Sequence, residues 1–363
     1  QVEDPTGYKD TYKDYFTVGV AVNMRNVTTP EQIALIKKNF NSITAENDMK
    51  PVSLQPKEGE FNWENADKIA NFCRENNIPL RGHTLCWHSQ FSDWMFVDSK
   101  GKDVSKEVFY ERLRTHIHAV VNRYKDIVYA WDVVNEAVND SDGGLRTESS
   151  WYNVYQSSEF IIKAFTYANR YAPADVKLFY NDYNETTPQK CVGICNLLKE
   201  IKVADGTRID GMGMQGHYLT AEFPSIDDFK SAARTYADIV GKVQLTELDF
   251  QASAEYDGTS ATYNKENGKL ANRYKDFYDA MKELKAEGIN VSGMTLWGVI
   301  DRNSWLQHAS FVGGGTNGSK KQTPLIFDDD YKVKPAYWAF VDEEKMASVI
   351  DSYNLEFEEE AEE

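Results

Sequence analysis

"IVYAWDVVNE", residues 127–136, is the stretch on which the fold turns. Tyr129, Ala130, Trp131, Val133 and Val134 read as a buried strand. Yet Asp132 lies inside the run, and it ends on Asn135-Glu136. Burying an ionised carboxylate is costly unless something pairs with it. An apolar strand that finishes on a glutamate therefore needs a reason.

Seven further apolar runs flank this one: "FTVGVAV" (16–22), "SITAEN" (42–47), "PLRGHTL" (79–85), "VKLFYND" (176–182), "IDGMGMQGHY" (209–218), "KVQLTELDF" (242–250) and "NVSGMTLWGV" (290–299). Between them lie "EQIALIKKNF" (31–40), "EVFYERLRTHIHAVVNRYK" (107–125), "EFIIKAFTYANRY" (159–171), "DDFKSAARTYADIV" (227–240) and "NRYKDFYDAMKELKAEG" (272–288). Their apolar residues recur at three and four, the mark of a helix with one buried face. Strict alternation without a Pro- or Ser-rich linker implies an α/β fold, a closed (β/α)8 TIM barrel in a single domain. A doubly wound open sheet is the alternative. It would need a glycine-rich phosphate turn after a strand, and "GMGMQG" (211–216) sits inside one.

Residues 1–352 are assigned to the barrel and 353–363, with the acidic run "EFEEEAEE" (356–363), to a solvated, disordered tail. "FVGGGTNGSKKQT" (311–323) reads as a flexible loop after the last strand, and "NDSDGG" (139–144) as a turn.

The 363 residues are 41% hydrophobic, enough for a sizeable core, and 13% aromatic, with 8 Trp and 21 Tyr. Surplus aromatics fill cores, and they also stack on the flat faces of sugars. The net charge of −17 repels a phosphate backbone, so nucleic acid is an unsuitable partner. No apolar run reaches membrane-spanning length, so no membrane partner is expected. Cys73, Cys86, Cys191 and Cys195 form no metal pattern and read as buried free thiols. Residue 1 is Gln, and no signal-peptide pattern precedes it, as expected of a mature or excised product.

In a barrel of this kind chemistry collects at the C-terminal strand ends. There the sequence places Glu46 and Asn47, His83 and Trp87, Asn135 and Glu136, Asn181 and Tyr183, Gln215 and His217, Glu247, and Trp297. Any one of them has an ordinary structural reading. Twelve polar or aromatic groups around one mouth do not. Metal hydrolysis would want clustered ligands, and no His-x-His pair falls at a strand end. A serine nucleophile would want G-x-S-x-G, which is absent. What remains is Glu136 and Glu247 facing each other across a tryptophan-rimmed mouth, the equipment of a glycosidase.

These motifs resemble the family-10 glycoside hydrolases, the endo-β-1,4-xylanases. The resemblance runs from about Tyr8 to about Ser352 on "TAENDMK" (44–50), "GHTLCWHSQ" (82–90), "WDVVNEA" (131–137), "FYNDYN" (179–184), "GMGMQGHY" (211–218), "LTELD" (245–249), "WGVIDRNSW" (297–305) and "PLIFDDDYKVKPAY" (324–337). It implies a retaining double displacement on xylan and xylo-oligosaccharides, with no cofactor and no metal, by a secreted monomer. Glu136 then resembles the general acid/base, an acid that suits an apolar, partly buried mouth, and Glu247 the nucleophile. Asn135 would donate to the sugar 2-hydroxyl. His217, held by Asp249, would keep Glu247 ionised, with Gln215 supporting its geometry. Glu46, Asn47, Lys50, His83, Trp87 and Gln90 would bind sugar on the non-reducing side, with Asn181 also in contact. Trp297 would underlie the scissile sugar, and Tyr183 would stack a leaving-side one. Trp305 would exclude the hydroxymethyl of glucose, and the 311–323 loop lies close to its segment. Asp132 is expected as a paired structural carboxylate. A β-glucanase, a mixed xylanase/cellobiosidase and a non-catalytic xylan-binding barrel are the alternatives.

Overall fold

The structure is a computed structural model that describes residues 7–149, 157–309, 311 and 322–362, with side chains as far as Tyr353. Among the described residues nine strands are present: β1 (Thr17–Val22), β2 (Ser42–Ala45), β3 (Leu80–Trp87), β4 (Val128–Asn135), β5 (Lys177–Asp182), β6 (Gly211–Met214), β7 (His217–Leu219), β8 (Val243–Gln251) and β9 (Val291–Leu296). Every pairing between them is parallel. The order β6-β5-β4-β3-β2-β1-β9-β8 is closed by pairing of β6 with β8, so eight strands form a complete barrel.

The expected sixth strand is two. It breaks at Gln215-Gly216, where Gly216 adopts φ +77°, a conformation that a side chain would strain. The chain resumes as β7 alongside the upper half of β8, with His217 opposite Asp249. The glycine-rich run is thus interrupted, and the break sets Gln215 and His217 at the barrel mouth.

Helices fill each crossover. Glu159–Tyr171 buries Phe160, Ile161, Ala164, Phe165 and Ala168, the three-and-four spacing read from its sequence. Ser105 and Ser225 cap two others by accepting from Val108 N and Asp228 N. The helix expected from residue 272 begins at Ser260. Its first turns are polar, and buried Glu266 accepts hydrogen bonds from Thr220 and Ser253 there. Polar groups satisfied by tertiary partners hid the period. The last helix runs Glu343–Glu362, so the boundary at 352 falls inside it, and the acidic run expected to be disordered is helical as far as Glu362. Glutamate is a good helix former, and the preceding turns supply the nucleus.

Asp132 is 1% exposed and lies 2.6 Å from Arg81 Nη1 and 2.8 Å from His83 Nδ1. Arg81 Nε also donates to Gln244 Oε1 at 2.8 Å. The buried charge is paired inside the barrel, as its setting requires. The four cysteines are free thiols. No helix among the described residues is long and apolar enough to cross a membrane.

Candidate active site

A cleft of ≈ 730 Å³ opens at the C-terminal ends of the strands. Glu136 reaches it because the β4 ladder ends one residue earlier. Its N–H still donates to Asn181 O on β5 at 2.8 Å, after which the chain turns with Glu136 at φ +57°. Such a conformation costs a non-glycine residue about 1–3 kcal/mol and persists only where neighbours enforce it. Here Arg146 Nε donates to the Glu136 carbonyl at 2.7 Å, and Ala137 N donates to Tyr180 Oη at 2.9 Å.

Three amides join the two candidate carboxyls. Gln215 Nε2 donates to Glu136 Oε2 at 2.9 Å, and Asn135 Nδ2 reaches the same oxygen at 3.2 Å. Asn135 Oδ1 accepts from Gln215 Nε2 at 3.1 Å and from Asn181 Nδ2 at 3.0 Å. Asn181 Nδ2 also donates to Glu247 Oε2 at 2.8 Å. The lattice fixes both acid groups against one frame.

Glu247 differs from Glu136 in its other partners. His217 Nε2 lies 3.0 Å from Glu247 Oε1, and His217 Nδ1 lies 2.7 Å from Asp249 Oδ1. Trp305 Nε1 donates to the second Asp249 oxygen at 2.8 Å. Burial opposes the charge on His217, but Asp249 and Glu247 outweigh it and hold the imidazole well above its usual value. Burial likewise opposes ionisation of Glu247. The hydrogen bond from His217, the charges of His83 and His217 and the Asn181 bond prevail, and its carboxyl is held low.

On one side of this centre Lys50 Nζ donates to Asn47 Oδ1 at 2.8 Å and stands 4.8 Å from the Trp87 ring centroid. Burial draws the Lys50 ammonium below its ordinary value, against the attraction of Glu247, Glu46 and Glu136. Burial raises Glu46 to about 7 against the pull of Lys50, with Glu247, Asp249 and Asp48 adding to the rise. A carboxyl poised there can both donate to and accept from a sugar hydroxyl. His83 and His217 meet Trp297 edge-on at 5.6 and 6.4 Å.

On the other side Tyr183 is held by charge. Its hydroxyl donates to Asp140 Oδ2 and accepts from Arg146 Nη2, both at 2.6 Å. Lys190 Nζ stands 3.7 Å from the ring centroid and bridges Asp140 at 2.8 Å and Asp182 at 3.0 Å. Burial lifts Asp182 to about 6 despite Lys190.

The structure brings Glu46, Asn47, Lys50, His83, Trp87, Gln90, Asn135, Glu136, Tyr183, Gln215, His217, Glu247, Trp297 and Trp305 to the wall of one cleft. Two expectations change. Asn181, expected at the sugar, is 0% exposed and spends its amide on Asn135, Glu247 and Thr246. It sits beneath the site because its strand position faces the barrel interior. The Gln215 side chain, expected to support Glu247, holds Glu136 instead, while its backbone carbonyl accepts from Glu247 N at 2.8 Å. Asn184, Phe223, Gln251 and Phe311 also line the cleft and were not singled out from the sequence. Aromatics in strand-end loops are the signal that could have found Phe223 and Phe311. Residues 312–321 of the glycine-rich loop lie outside the described residues.

The profile of glycosyl hydrolase family 10 matches residues 7–343. The endo-1,4-beta-xylanase/feruloyl esterase of Xylanibacter ruminicola is 45% identical over 344 residues, covering 90% of this chain and 45% of that protein. The chain thus spans about half the length of that relative. A solved psychrophilic family-10 endo-beta-1,4-xylanase superposes with TM-score 0.81 at 46% identity, over 92% of this chain and 98% of the other. The intracellular xylanase of Thermoanaerobacterium saccharolyticum, solved as a mutant with xylotetraose, gives TM-score 0.81 at 37% identity, over 94% and 99% of the two chains.

Proposed function

The chain belongs to glycosyl hydrolase family 10, and from that membership we propose that it is an endo-acting, retaining β-1,4-xylanase with Glu247 as nucleophile and Glu136 as acid/base. The observation that carries the division of roles is the difference in hydrogen-bond partners. Glu247 faces an imidazole held charged by Asp249. The described side-chain donors to the Glu136 carboxyl are neutral amides. The first environment favours a permanent carboxylate, the state a nucleophile needs.

In the first step a Glu247 oxygen attacks the anomeric carbon while Glu136 gives its proton to the departing glycosidic oxygen. In the second, Glu136 as carboxylate takes a proton from water, which attacks the same carbon and frees Glu247. Two inversions give net retention. Asn135, held by Gln215 and Asn181, is placed to bond the sugar 2-hydroxyl as charge develops. Trp297 underlies the scissile sugar, and Tyr183 offers its ring to the leaving chain. Trp305, fixed by Asp249, crowds the position where glucose carries a hydroxymethyl. The enzyme acts as a monomer, without a cofactor, on xylan and xylo-oligosaccharides, outside the cytoplasm where the polymer is found.

Release of reducing ends from xylan and from cellulose tests this. Rapid release from xylan with little from cellulose is expected. Comparable release from cellulose would replace the reading with a β-glucanase. Oligosaccharide binding without release from either polymer would make the protein a binding barrel.

A further inference from the structure

Glu185, in the loop after β5, is 0% exposed and has no part in the chemistry described above. Its place is beside the break between β6 and β7. Gln215 N donates to Asp182 O at 3.0 Å, and β5 ends at that residue. The next backbone donor, Gly216 N, goes instead to a side chain, with Glu185 Oε1 accepting from it at 3.1 Å. The same oxygen accepts from Tyr218 Oη at 2.8 Å. One carboxyl oxygen thus holds the residues on both sides of His217.

The clasp is itself anchored. Tyr236, on the helix Ile226–Val240, donates its hydroxyl to the Glu185 carbonyl at 2.6 Å. Tyr218 is wedged in the core, its ring 5.0 Å from that of Phe277. The second Glu185 oxygen is buried, and among the described residues no donor reaches it. A buried acid with an idle oxygen costs stability. Burial also raises its carboxyl to about 7, against the bonds it accepts and the charge of His217. Such a group is a poor choice for packing alone, yet both its side-chain bonds converge on the three-residue strand that carries His217. Among the strands only β8 pairs with β7, so little else fixes that segment from the β5 side.

We propose that Glu185 is a positioning residue for the nucleophile: by clasping Gly216 and Tyr218 it fixes the His217 imidazole against Glu247 and Asp249. The inference rests on the proposed reading of Glu247. Hydrogen bonds weaken steeply as they bend. A small drift of β7 would therefore weaken the bond from His217 that keeps buried Glu247 ionised.

Three variants separate this role from simple packing. Glu185→Gln keeps an acceptor for both donors, Glu185→Ala removes it, and Tyr218→Phe removes one of the two bonds. Each is compared with the wild type in the pH profile of kcat/KM on an activated aryl xylobioside, with thermal melting measured alongside. In Glu185→Ala burial of Glu247 is less opposed, so its carboxyl protonates at higher pH and the acidic limb should move up by about half a pH unit. Tyr218→Phe should move it the same way by less, and Glu185→Gln should leave it at the wild-type position. If Glu185→Ala does not fold, Tyr218→Phe against Glu185→Gln carries the comparison. Lower melting in Glu185→Ala and Tyr218→Phe with the limb unmoved would show a merely structural role and overturn the inference. A limb shifted as far in Glu185→Gln as in Glu185→Ala would overturn it too. Either result leaves the xylanase reading intact. Failure of the wild type to cleave the aryl xylobioside would instead overturn that reading, and this inference with it.

Discussion

At Glu247 burial and hydrogen bonding pull in opposite directions, and the outcome depends on His217 and Asn181. The carboxyl sits below its ordinary value of 4.5, so it stays ionised as pH falls through the range where a free glutamate would protonate. His217→Asn removes the charged donor and leaves burial less opposed. The acidic limb of kcat/KM on an activated aryl xylobioside should then move up by about one pH unit. A limb that stays in place would mean that Asn181 and His83 suffice. At this scale much was legible. A carboxylate ending an apolar strand, and a second one three strands on, stand out against the cost of burying charge. The task of Asn181 was not legible, because an amide at a strand end reads the same whether it faces sugar or another side chain. Only the barrel's closure places it under Glu247.

The loop after β4 and the helix Pro188–Val203 work as a unit. A Cβ on Gly193 would come within 1.9 Å of Gly143 O, so the loop lies directly on the helix backbone. That docking brings Lys190 to Asp140 and Asp182, and Asp140 to the Tyr183 hydroxyl. Gly193→Ala should push the loop away. Overpacking of this kind costs about 1–3 kcal/mol. Thermal unfolding should fall accordingly, and KM should rise for xylo-oligosaccharides that fill the leaving side more than for an aryl xylobioside. Unchanged melting and unchanged KM would show that the contact has no consequence. "NDSDGG" was readable as a turn from its composition. Gly193 was not readable, since a glycine inside a helix declares no partner. The same limit applies to the start of the Ser260–Ala286 helix, where polar residues are buried against other elements, and to the break at Gly216.

Across the whole molecule, alternation of apolar runs and amphipathic stretches foretold the closed ring, because parallel strands covered by helices must be apolar throughout. The ring in turn brings side chains from all but one of its strands to one mouth, and on the proposed mechanism that convergence lets Glu136 and Glu247 act on one bond. The sequence also foretold the overall negative field. The central claim is that one carboxylate becomes covalently bound to the sugar while the other moves protons. A xylobioside with fluorine at C2 and an acidic leaving group slows release of the intermediate more than its formation. Incubation followed by intact-mass measurement and peptide mapping tests the claim most directly. One fluoroxylobiosyl group on Glu247, with activity lost in step, is the predicted result. A label on Glu136, or inactivation with no adduct at all, would contradict it.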